Sequence, residues 1–143
     1  MTIRKSIRVE RSPEVSFRVF CEEIGQWWPK GRSFGDKQLV NLIIEGRVGG
    51  RLYEIHSDGS EYEIGRVTAY QPPRVVAFSW CAPSWEMATQ VEVRFIPDGG
   101  GTRVELEHSG WEQAAVILEA RKNYDGGWDR MLGHYVARIN SAA

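Results

Sequence analysis

Excess charge of either sign is the first thing this 143-residue chain lacks: 18 Lys and Arg stand against 19 Asp and Glu, a formal net charge of -1. Without a global positive field it is not built to gather phosphates, so neither nucleic acid nor an acidic membrane surface is an expected partner. Cysteine is scarce. Cys21 and Cys81 lie far apart and outside any CxxC pair, which suits a reducing compartment where both stay thiols and serve as small buried apolar residues. No apolar run approaches the length of a membrane span, and the opening MTIRKSIRVERS carries charge throughout with no signal-peptide core, so the expected location is the cytoplasm. Histidine is sparse too. His56, His108 and His134 include no HExxH, no i,i+4 partner and no Cys/His spacing, so no metal site is expected. GxSxG, a Gly-rich phosphate loop and a dinucleotide fingerprint are all missing, and no cofactor is expected. Gly99-Gly100-Gly101 joins two strands and opens no helix, which reads as a hairpin turn. Repeats, low-complexity tracts and linker-like stretches are absent as well. Residues 1–143 therefore read as one domain, long enough to remove roughly 70% of the extended chain's surface from water with no disulfide or metal.

What the chain has in quantity is aromatic surface: six Trp, five Tyr and five Phe, 11% of all residues. Such rings suit a dense core, and they equally suit the walls of a cavity. Their placement follows a legible order. From Ile3 to Glu10 the residues alternate, with Ile3, Lys5, Ile7 and Val9 on one face of a strand. Ser12 is then a good N-cap and Pro13 a good first helical residue; Phe17, Phe20, Cys21 and Ile24 follow at helical spacing, with Gly25 expected to end the helix. Trp27-Trp28-Pro29 is expected to begin a loop that runs to about Lys37. From Gln38 onward, breakers at Gly49-Gly50, Asp58-Gly59, Pro72-Pro73, residues 82–86 and residues 98–101 divide six strands of a meander. In two of these, Thr89, Val91, Val93 and Phe95 oppose Gln90, Glu92 and Arg94, and Val104 and Leu106 oppose Arg103, Glu105 and Glu107. A sheet so patterned has one wet and one buried face. The last segment supplies the cover: Trp128, Met131, Leu132, Tyr135, Val136 and Ile139 form a helical stripe that Ile117, Ala120 and Tyr124 extend backward through Gly126-Gly127. The two glycines are expected to let that helix approach the sheet closely.

The order strand, helix, six-stranded meander, long helix resembles the START-like (SRPBCC) superfamily, whose curved antiparallel sheet grips its C-terminal helix: an α+β helix-grip fold, β-α-β6-α. Gly49-Gly50-Arg51, Asp58-Gly59 and Gly65-Arg66-Val67 are similar to the GGR…DG…GxV pattern of the branch related to the activator of the heat-shock protein 90 ATPase. Pro72-Pro73-Arg74 leading to Phe78-Ser79-Trp80, Gly101-Thr102 leading to Glu107-His108-Ser109-Gly110-Trp111, and Gly127-Trp128 with Leu132 extend the likeness over nearly the whole chain. The resemblance implies a cavity between sheet and helix, in proteins that range from lipid carriers and cyclases to cochaperone domains of the stress response; it gives the place of a site and little of its chemistry.

On that footing the expected ligand-binding walls are Phe78, Trp80, Val91, Val93, Leu106, Trp128, Met131 and Tyr135, with Trp27 and Trp28 at the entrance. The same stripe is also what a packed core needs, and any one of these side chains taken alone reads better as core, while the set as a whole reads as cavity wall because a curved sheet over one helix leaves space to fill. His108 shares the inward parity of Val104 and Leu106. It is the candidate acid or base, or donor to a ligand carbonyl, against a buried neutral imidazole bonded to its neighbours. Glu61 with Glu63, and Glu105 with Glu107, repeat at strand spacing on a solvated face. Glu45 and Arg66, were their parity inward, would form a buried ion pair or a grip on a ligand head group. Three functions compete: binding of a small apolar molecule, a cyclase- or hydrolase-like enzyme using His108, and a cochaperone-like domain working through its outer surface. An enzyme needs two placed polar groups where only His108 stands out, and a cochaperone is expected to carry a further partner-binding element where this chain stops at Ala143. Binding leads, and the chain is not expected to be an enzyme. Neutral net charge and exposed aromatics are compatible with a homodimer without requiring one.

Overall fold

The computed structural model describes residues 1–31 and 33–141. Arg32, inside the loop expected to reach Lys37, and Ala142 and Ala143 lie outside the described residues. Its strands are β1 (Ile3–Val9), β2 (Leu39–Ile44), β3 (Arg51–His56), β4 (Glu61–Gln71), β5 (Val75–Trp80), β6 (Thr89–Asp98) and β7 (Gly101–Ser109), and its helices α1 (Pro13–Glu22), α2 (Ile24–Trp27) and α3 (Ala115–Ser141). All seven strands form one antiparallel sheet in the order β1-β7-β6-β5-β4-β3-β2. The sheet curls around α3, the helix-grip architecture expected of the pattern. Its curvature has a local cause. Register shifts at Leu39/Asn41, Leu52/Tyr53 and Val67/Ala69 put an extra residue into one strand of three successive pairs, and each such bulge bends the sheet. Gly65 sits beside one of them because nothing larger fits: a Cβ there would stand 1.8 Å from the Ser79 carbonyl oxygen.

Helix α1 begins as expected, with the Ser12 hydroxyl accepting from the Val15 amide at 3.2 Å and Pro13 at the first turn. It does not run to Gly25. The chain breaks at Glu23 and starts α2, which contains Gly25. That glycine is required by proximity rather than by termination, since a Cβ would meet Asn41 Oδ1 at 1.8 Å and the Leu42 carbonyl oxygen at 2.8 Å. Next to it, the Leu42 amide donates to Asn41 Oδ1 at 2.9 Å. Phe17 and Phe20 pack edge-on against Phe95 of β6, and Phe20 also against Tyr135 of α3. The Tyr135 hydroxyl donates to the Ser16 carbonyl at 2.8 Å, which pins α3 to α1.

The outer face of the sheet carries charge in pairs. Arg94 meets Glu92, Glu105 and Glu107, and Arg103 meets Glu105; on the other face Lys5 of β1 reaches Asp125 and Asp129 of α3. Glu45 and Arg66 belong to this solvated surface rather than to the interior. Arg66 is exposed and forms a bidentate pair with Glu63 at 2.9 Å, while Glu45 accepts from the Arg51 amide at 2.7 Å. The parity that would turn Arg66 inward is shifted by the bulge opposite Leu52.

Helix α3 runs unbroken through Gly126 and Gly127, and here the structure reverses the expectation of close approach: a Cβ at either glycine would have nothing within 4 Å. Both face open space. Gly126→Ala should therefore raise stability by about 0.5–1 kcal/mol through helix propensity alone, whereas Gly65→Ala should lower it by about 1–3 kcal/mol through overpacking. Thermal denaturation of the two variants checks both signs.

Candidate functional site

Along one flank of α3 the aromatic residues do not close up completely. Trp80, the last residue of β5, stands 6.0 Å from Tyr124 and 6.0 Å from Trp128 of α3, ring centre to ring centre. Trp28, which follows α2, lies 6.1 Å from both Trp80 and Trp128. Between these four rings, Met131 and Gly127 is a mainly apolar hollow of about 170 Å³. A second hollow of about 370 Å³ adjoins it, sharing Trp28, Trp80, Tyr124, Arg130 and Met131 and continuing to Ser33, Phe34, Glu54 and His134. The missing side chain at Gly127 leaves the first hollow open along the helix. Ring faces and edges at these spacings suit a flat apolar guest, and the second hollow gives it a polar end.

The sequence-derived walls divide between these hollows and the core. Trp28, Trp80, Trp128 and Met131 line the first hollow. Phe78, Val91, Val93, Leu106 and Tyr135 line neither and are almost wholly buried. Their space is filled from the other side by α1 and α2, whose Phe17, Phe20 and Trp27 occupy the interior that a sheet over a single helix would have left vacant. Trp27 is accordingly not at the entrance. Its indole N–H donates to the Val19 carbonyl at 3.1 Å, and its ring packs on Phe20 and Tyr135.

His108 is fully buried on β7 and committed at both nitrogens. The indole N–H of Trp128 can only donate, so Nδ1 of His108, 2.9 Å away, is the acceptor. Nε2 then carries the proton and donates to the Thr89 hydroxyl at 2.7 Å, which in turn donates to the Trp80 carbonyl at 2.8 Å. Trp111 packs against the imidazole, tilted by 47°, with ring centres 4.3 Å apart. Burial pushes the His108 pKa down to about 3, so the ring stays neutral, touches neither hollow and is removed from the role of acid or base that parity had suggested. Burial likewise pushes the Cys81 and Tyr124 pKa values up and that of Tyr62 to about 12, so these groups also keep their protons at neutral pH.

The polar pair that parity could have found is on β3. Leu52, Glu54 and His56 all face inward, and both polar side chains are almost wholly buried. His56 Nε2 lies 2.8 Å from Glu54 Oε1, and the Ser33 hydroxyl donates to Glu54 Oε2. Tyr124 and Ser33 were not singled out either; Tyr124 is an extension of the helical stripe, while nothing local marks Ser33. Among the described residues, no three His, Cys, Asp or Glu side chains are grouped to hold a metal ion, and no helix is long and apolar enough to cross a membrane.

Comparison with known proteins gives the site a setting. The family model of activator of Hsp90 ATPase homolog 1-like proteins matches residues 11–138. No curated protein sequence matches the chain. Among solved structures, the chain is similar to an anthrahydroquino-gamma-pyrone synthase, Txn09, complexed with SUM, at 38% identity over 75% of each chain with a TM-score of 0.54. It is similar in fold to the self-sacrificing resistance protein CalC from Micromonospora echinospora (23% identity, 97% of this chain and 94% of that one, TM-score 0.73). It is also similar in fold to the Aha1 dimer from Colwellia psychrerythraea (19% identity, 92% and 90%, TM-score 0.66).

The neutral imidazole has a measurable consequence. A histidine whose pKa is lower folded than unfolded contributes stability that is complete above its ordinary value near 6.5 and is lost as pH falls toward 3. Over that window the loss is on the order of 4 kcal/mol. His108→Gln keeps an acceptor and a donor but does not titrate, so its melting temperature should fall less steeply than the parent's between those two pH values. Equal slopes would show that the imidazole is not held neutral.

Proposed function

This chain belongs to the family of activator of Hsp90 ATPase homolog 1-like proteins, and we propose that it binds a small, flat, mostly apolar ligand in the joined hollows beside α3. The observation that carries the reading is the opening between Trp28, Trp80, Tyr124 and Trp128 at Gly127. A packed core closes such gaps, and a helix gains stability from alanine over glycine at exposed positions. Here a glycine stands where any larger side chain would project into the gap.

Burying a planar ring among four aromatic side chains supplies affinity through apolar area, at roughly 25 cal/mol per Å² removed from water, and the edges and faces of the rings orient it. The second hollow gives direction, because its mouth carries Arg130 and its interior Glu54 and Ser33. Arg130 forms no ion pair with any described residue. It is available to a carbonyl or anionic oxygen on the ligand. The relative at 38% identity is named for a fused aromatic product, and a ligand of that shape, apolar in the middle with oxygens at the rim, is the class that suits these walls.

Anthraquinone-2-sulfonate is a soluble probe of that class. It should quench the tryptophan emission saturably, and Gly127→Leu should weaken its binding at least about tenfold, some 1.4 kcal/mol, while leaving the melting temperature at or above that of the parent. Absence of saturable quenching, or equal affinity in the variant, would overturn the reading.

A further inference from the structure

The pair Glu54 and His56 is connected to more than the second hollow. On its far side a hydrogen-bond chain leads to the surface, and the proton positions along it follow from which groups are able to donate. Hydrogen bonds from the Ser60 hydroxyl and amide, and then the Lys37 ammonium, hold the Asp58 carboxyl well below the usual carboxylate range. Asp58 is therefore ionised and only accepts, and the single hydroxyl proton of Ser60 is committed to it. Ser60 Oγ also accepts from Lys37 Nζ at 3.0 Å. With its proton spent, Ser60 Oγ can only accept from His56 Nδ1 at 3.2 Å, so Nδ1 carries a proton.

The other ring nitrogen faces Glu54 Oε1 at 2.8 Å, and the contact holds one proton between the two groups. With that proton on Nε2 the contact is imidazolium to carboxylate, and Glu54 keeps acceptor capacity for a further partner. Glu54 Oε2 receives the Ser33 hydroxyl. A carboxylate has about four acceptor sites, and the described contacts occupy two. Burying two ionisable groups costs more than apolar residues of the same size, and Glu54 stands at the wall of a cavity with His56 bonded behind it.

We infer that Glu54 and His56 form a proton-exchanging site for a hydroxylated aromatic ligand in the adjoining hollows, with Ser60, Asp58 and Lys37 linking the pair to solvent. The inference rests on the ligand-binding reading above and adds chemistry to it. In the exchange the ligand O–H bond breaks, its electron pair stays on the ligand oxygen, and the proton forms an O–H bond on Glu54. The imidazolium of His56, its Nδ1 proton held by Ser60, balances the charge of the phenolate. Nothing is oxidised or reduced. A phenolate generated in this way is a nucleophile, so the site has the first step of a ring closure through oxygen within its reach.

The test uses 2-hydroxyanthraquinone, whose phenolate absorbs at longer wavelength than its phenol, at a pH where the free dye is neutral. Bound to the parent protein it should show the phenolate band. Glu54→Gln should abolish the band while anthraquinone-2-sulfonate, which has no hydroxyl, still quenches the variant's tryptophan emission saturably. Ser60→Ala, at a half-exposed position that threatens the fold less, should weaken the band without abolishing binding. Quenching without a phenolate band, or a band that survives Glu54→Gln, would overturn the inference and leave the ligand-binding reading standing. No quenching by either dye would overturn both.

Discussion

A buried imidazole must place both ring nitrogens, and the way His108 does so organises this molecule. It accepts from Trp128 of α3 and donates to Thr89 of β6, which donates to the backbone of Trp80 at the end of β5. One uncharged chain of three hydrogen bonds thus spans three adjacent strands and the gripping helix, and it holds the indole of Trp128 and the backbone of Trp80, both residues of the first hollow's wall. Leaving one member unpaired would cost about 1–3 kcal/mol, and because the members sit in a dry interior their polarities reinforce one another. The cavity wall is rigid here for a reason separate from apolar packing: the Trp128 ring is fixed by His108, and the Trp80 indole N–H donates to the Tyr124 hydroxyl at 2.9 Å.

With those walls held, two other features determine the space between them. Helices α1 and α2 fill the interior from one end with Phe17, Phe20 and Trp27, and Tyr135 closes it by bonding to the Ser16 carbonyl. The remaining space is pushed to the side of α3, where Gly126 and Gly127 leave the helix surface bare. The site is therefore not a chamber in the middle of the fold. It is a cleft on the flank of the helix, apolar where it meets four rings and polar where it meets β3.

The architecture was legible in the sequence because it rests on long periodic segments. The alternation of Ile3 to Val9, Thr89 to Phe95 and Val104 to Leu106, and the stripe from Ile117 to Ile139, each repeat a physical period several times over. The site was legible only in part. Parity put His108 inside correctly, but parity does not say whether an inward polar group faces a cavity or a partner, and the indole that occupies its Nδ1 comes from 20 residues away. Phe78, Val91, Val93 and Leu106 shared the inward face, yet which of them would be covered depended on how far α1 and α2 penetrate. His56 has no ligand partner at the i,i+4 spacing of a helix, but it lies on a strand, where a partner stands at i+2 or i-2, and Glu54 occupies that place. The face of Arg66 stays open in the sequence because a bulge reverses parity, and bulges leave almost no local trace. The paired glycines were misread for a simpler reason: a glycine marks either a neighbour too close for a Cβ or an opening with no neighbour, and the sequence signal is the same.

The contact of Gly25 with β2 bears on how copies of this protein meet one another. Strand β2 is one of the two rims of an unclosed sheet, and such a rim ordinarily offers unpaired amides and carbonyls to any extended chain that comes along. At Leu42 the amide is already bonded to the Asn41 side chain, and the carbonyl is covered by the backbone of α2, which lies so close that only glycine fits. The bulge at Leu39/Asn41 disrupts the rim on one side of that point. Strand addition is therefore hindered at this point of the rim by a residue whose only contribution is the side chain it does not have.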